Sequence, residues 1–136
     1  MAAHAEGVST AAAGEGSHAE GYGSITDPAA NYAHAEGNGS KAIGVSSHAE
    51  GEGSEASGQG SHAEGYQSKS SGVYSHAEGA ATQASGSNSH AEGSGSIASG
   101  FDAHAEGTSS KATLNAAHAE GFETQATNDY AHSEGH

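Results

Sequence analysis

The chain has 136 residues, 32% of them apolar and most of those alanine, with no Cys, Trp or Arg and three Lys against 17 acidic residues, for a net charge of -14. That composition excludes disulfide staples and thiolate metal sites, an apolar membrane span, the glycine-every-third collagen pattern and a nucleic-acid partner. Taken without regard to order it predicts disorder, because so little apolar area cannot offset the entropy of ordering the chain.

The order of the residues overrides that expectation. The motif His-Ala-Glu-Gly first appears at His4, with Glu6 two places on, and returns at His18 and Glu20, where Tyr22 follows the glycine. Sixteen residues separate His18 from His34 and Glu36, and this step holds the one proline, in the stretch Thr26 to Asn31 that precedes Tyr32. Every later step is fourteen residues. His48 and Glu50 come next, then His62 and Glu64 with Tyr66 after the glycine and Tyr74 in the following turn. His76 and Glu78, then His90 and Glu92, precede Phe101 and the pair His104 and Glu106. His118 and Glu120 are followed by Phe122, and Tyr130 precedes His132 and Glu134 in the variant His-Ser-Glu-Gly. A two-residue loop insertion near 26–31 accounts for the long step, so a single repeat domain of ten SHAEG-type coils is expected over 1–136. Nothing after Met1 resembles a signal peptide.

Each fourteen divides into two sevens: Ser61 to Gly65 and Ser54 to Gly58 share the outline small, x, Ala, x, Gly. Period two marks a strand with positions i, i+2 and i+4 on one face, and here that face carries only Ser or Thr, Ala and Gly. The glycine and the two residues after it are expected to turn. Two short strands per fourteen residues describe an all-β fold, a narrow parallel β-roll with tiny side chains inside. Ten coils at the interstrand spacing give a rod of about 45–50 Å. His and Glu then face outward on one strand in all ten copies. The other strand's outward pairs vary, as in Ala11 and Ala13, Lys41 and Ile43, Glu55 and Ser57. A roll filled with Ala and Ser has too small a core to stand alone, and the constant His–Glu face is the surface expected to be covered, in a symmetric assembly whose axis parallels the rod.

The S-x-A-x-G units at fourteen-residue period resemble the head repeats of trimeric autotransporter adhesins, the YadA-like left-handed parallel β-roll, over essentially the whole chain. The resemblance implies a homotrimer in which the x positions face the trimer axis. Those positions are apolar in the family and are the ten His–Glu pairs here. SHAEG-type versions also resemble repeats of phage tail-fibre and appendage proteins. Leu114 and Asn128 depart from the pattern at the second-strand glycine, and Ser70 replaces an alanine. What the resemblance implies is a non-enzymatic, extracellular adhesin head or stalk segment on the cell surface, binding a host surface or matrix. The alternative is a receptor-binding spacer of a phage fibre. No membrane contact by this segment is expected.

Stacked glutamates about 4.8 Å apart repel by roughly 3–4 kcal/mol per pair at an effective dielectric near 20, so each needs a partner, and His is supplied at matching frequency. The expectation is a hydrogen bond from a His of a neighbouring subunit. If the imidazole is cationic, its folded pKa is raised, and stability is full below about 6.5 and lost as pH rises through the folded value. The zinc deaminase signature needs a downstream Cys pair that is missing here. A Ser–His–Glu triad fails because neighbours on a strand point to opposite faces. No cofactor or metal is expected; three axis-facing His in one layer holding a divalent ion is the alternative to a hydrogen-bonded network. The seven aromatics are placed in the two-residue turns, Tyr22, Tyr66 and Phe122 in one, Tyr32, Tyr74, Phe101 and Tyr130 in the other, either packing the corners or serving as contact points for a glycan or host protein.

Overall fold

The computed structural model describes residues 2–135. It is a parallel β-solenoid with one coil per repeat and no helix. Among the described residues ten long strands, from His4–Val8 to His132–Gly135, form one sheet, and nine two-residue strands, from Ala11–Ala12 to Gln125–Ala126, form the other. Strand order in each sheet follows the chain, so every coil hydrogen-bonds only to the coil before and after it. Register is residue for residue. His48 stands on His62 and Ala49 on Ala63, and His18 pairs with His34 across the long step.

The interior is made of methyl and hydroxyl groups. Ala35, Ala49, Ala63 and Ala77 from the long strands, with Ala42, Ala56 and Ala84 from the short ones, have no exposed surface. The largest fully buried side chain is Thr82. Methyl-sized groups bury little area each, so the ladder of backbone hydrogen bonds between coils carries much of the order. Buried hydroxyls must also be satisfied. Ser61 donates to the Gly58 carbonyl at 2.8 Å, and Ser54 donates to the Gly65 carbonyl of the next coil at 3.0 Å. Ser70, standing where alanine is usual, is buried with its hydroxyl 2.6 Å from that of Ser75. Each departure of this kind brings its own partner.

Two details differ from the sequence reading. The long strands run from His to the residue after the glycine, as in His62–Tyr66, rather than from Ser to Gly, while the second strand spans only two residues. The two glycines of a coil also do different work. Gly65 has φ +96°, whereas Gly72 has an ordinary φ and is needed because a Cβ there would lie 1.9 Å from the Gly86 carbonyl oxygen. Much of the left-handed backbone falls instead on non-glycine residues, such as Gln67 (φ 53) and Tyr74 (φ 55). The insertion loops out at Pro28 and Ala29, where the Asp27 carboxylate accepts from the Ala29 N–H at 2.9 Å. Ala30, fully buried, then closes the coil.

The histidine–glutamate ladder as candidate functional site

Strand alternation puts both polar side chains of every HAEG unit on the outer face of the long-strand sheet while the alanine between them faces in. The pairs His4–Glu6, His18–Glu20, His34–Glu36, His48–Glu50, His62–Glu64, His76–Glu78, His90–Glu92, His104–Glu106, His118–Glu120 and His132–Glu134 thus form two adjoining columns. Imidazole centroids lie 4.7–4.9 Å apart, and from His18 onward successive rings are within 7° of parallel. Nine such steps make a flat ribbon about 43 Å long.

Within each coil the Nε2 of His approaches the Oε2 of its own strand's Glu, at 3.4 Å for His34–Glu36 and 3.5 Å for His62–Glu64. Across the ladder the range reaches 4.0 Å, at His132–Glu134. This contact lies within one coil of one chain, an approach the sequence reading did not include beside the hydrogen bond it expected between subunits. The signal for it was present, since i and i+2 on a strand share a face. The contact stops short of a hydrogen bond. Eight imidazole Nε2 atoms, from His18 to His118, are shielded from solvent and have no hydrogen-bond partner.

Charge in the ladder follows from crowding. Burial, then the neighbouring imidazole of His48, holds the His34 pKa below its ordinary value. Burial followed by His48 and His76 does the same to His62. Burial and a hydrogen bond with the Glu78 carboxyl push Glu64 up, with Glu50 adding to it. At His34 and His62 these directions favour neutral imidazole at neutral pH, opposite to the cationic form.

The aromatics fall in two sets. Tyr22, Tyr66 and Phe122 end long strands instead of lying in a turn. In that register Tyr22 stands on Asn38, and Glu52 on Tyr66, so the rings form no column. Tyr32, Tyr74 and Tyr130 occupy the left-handed position of the other corner, and Phe101 begins a turn there. The Tyr74 ring lies over Gly60, where a Cβ would sit 2.7 Å from it, and Tyr32 covers Gly16 likewise. These two rings pack the corner between coils while leaving 62% and 57% of their surface exposed. No pocket opens among the described residues. No family model matches the chain, and no curated protein matches it significantly.

Proposed function

We propose that this solenoid is a left-handed β-roll segment of a homotrimeric, non-enzymatic surface adhesin, with the His–Glu ladder of each chain facing the trimer axis. The observation that carries this reading is the ladder itself, a flat ribbon of identical half-buried pairs whose shielded Nε2 atoms have no partner. Unsatisfied polar atoms are costly, and a face repeated at one spacing can be answered, layer for layer, by its symmetry mates. Neutral imidazole suits such an interface, since burying an unpaired cation costs far more. The outer sheet, variable in sequence, and the exposed aromatic corners are then left to meet a host surface or matrix.

Cysteine scanning tests the assembly, because the chain has no cysteine of its own. Sedimentation is expected to give three chains, with Glu64→Cys forming disulfides between chains and Glu55→Cys, on the opposite sheet, forming none. A monomer, or cross-linking only at position 55, overturns the reading. Binding of the trimer to immobilised matrix proteins tests the adhesive role. One observation favours a second use, as a phage tail-fibre spacer. All ten coils carry the polar His–Glu pair, the form that resembles fibre repeats, whereas adhesin heads carry apolar residues there. Adjacent gene segments, membrane anchor or tail attachment, separate the two.

A further inference from the structure

In each coil two acceptors face one gap. With the ring proton on Nδ1, the Nε2 lone pair of His62 and the Oε2 of Glu64 stand 3.5 Å apart, the former shielded and unpartnered. That separation is long for a hydrogen bond. It matches the ligand–ligand edge, about 3.3–3.4 Å, of a tetrahedral ion with bonds near 2.0–2.1 Å. We propose that the ladder binds divalent transition-metal ions of the zinc class, each held by the imidazole Nε2 and the carboxylate of a single coil.

A third donor lies one coil away, where Glu78 stands directly on Glu64 in the strand register. The neighbouring imidazole does not join the site. Donor atoms of His62, Glu64 and His76 fall within 4.8 Å of one another, but the two rings are stacked 3° from parallel, so their in-plane lone pairs do not converge. The donor set is therefore one nitrogen and two oxygens, with water to complete it. This suits zinc, cobalt or nickel and serves magnesium and calcium poorly, because these need six or more oxygens. Entry requires only that the glutamate, exposed over about a third of its side chain, swing aside with the ion. The net charge of -14 draws cations to the rod. Two dications one coil apart repel strongly, so alternate coils fill, to a limit of about five ions per chain. A single chain suffices, so the inference goes beyond the assembly proposed above.

Equilibrium dialysis of the untagged chain against Zn2+ or Mg2+, followed by elemental analysis, tests it. The expected result is roughly three to five zinc ions per chain and less than about one magnesium. Combined His48→Asn, His62→Asn and His76→Asn, with an unchanged circular dichroism spectrum, should lower the zinc limit from about five ions to about four, because the coils left on either side of the disabled three hold two alternate ions each. Glu55→Gln, on the other sheet, should lose none. Equal uptake of the two metals, or full zinc binding by the folded triple variant, overturns the proposal. If that variant unfolds, the parent decides, since Co2+ must give the visible spectrum of a tetrahedral site and an octahedral spectrum overturns it. Sedimentation of the same samples keeps the two readings apart. A zinc-binding monomer sinks only the trimer, and a trimer without zinc sinks only the metal site.

Discussion

Replacing Gly65 with alanine is expected to cut the rod in the middle, whereas Gly39→Ala should leave it almost unchanged. Both glycines have positive φ, +96° and +71°. Their surroundings differ. A Cβ on Gly65 would lie 2.2 Å from the Gly79 carbonyl oxygen, while one on Gly39 meets nothing within 4 Å. Bringing the first contact to an ordinary distance requires the two coils to part by roughly 1 Å in an interior that has no slack. That displacement weakens about two inter-coil hydrogen bonds at about 1 kcal/mol each, on top of about 1–3 kcal/mol of backbone strain, for a total of about 3–5 kcal/mol. At Gly39 the left-handed conformation costs about 1–2 kcal/mol, partly offset by about 0.4–1 kcal/mol from a stiffer unfolded chain. Ala81, at the same place in a later coil, already holds φ 56. Urea titration followed by circular dichroism measures both, and limited proteolysis locates the opening at the damaged coil boundary. Equal shifts of the two midpoints, or a Gly65→Ala midpoint matching the parent, would refute the claim that coil spacing is set by glycine on glycine.

Two further outcomes follow from the interior and the ladder. Ala63→Leu places three more carbons where nothing larger than threonine is fully buried, so a loss of about 3 kcal/mol or more is expected in the same urea assay; an unchanged midpoint would mean that the interior is not sealed. For pH, His34 and His62 have folded pKa values below the ordinary 6.5, so the unfolded chain binds more protons and stability falls as pH drops below about 6.5. Glu64, raised above 4.5, works the other way, its contribution complete below about 4.5 and lost as pH rises through its folded value. Thermal midpoints of the single chain should therefore decline between pH 7 and the low sixes, and a rise over that window would restore the cationic ladder.

The period of fourteen, the two sheets and the inward face of Ser and Ala were legible because alternation and repetition are properties of order alone. So was the outward column of His and Glu. The partner of each glutamate was harder to read. Whether His62 reaches Glu64 of its own strand or another chain depends on side-chain rotamers, which the repeat does not encode. Glycine misled in one place. Gly58 and Gly65 look alike in sequence, yet one meets a carbonyl of the next coil at ordinary φ while the other also needs a left-handed backbone. A signal for the true turn position existed in the column of Gly23, Gly39, Gly53 and Gly95, which Gln67 and Ala81 share. It was masked because that column tolerates other residues.

The exact superposition of coils has a consequence for length. His34 meets His48 in the same register in which His48 meets His62. Excising residues 47–60 therefore lets His34 dock on His62 with no new kind of contact, and duplicating them is equally free. Copy number alone sets reach, in increments of one coil, like a ruler that is cut or extended at any graduation.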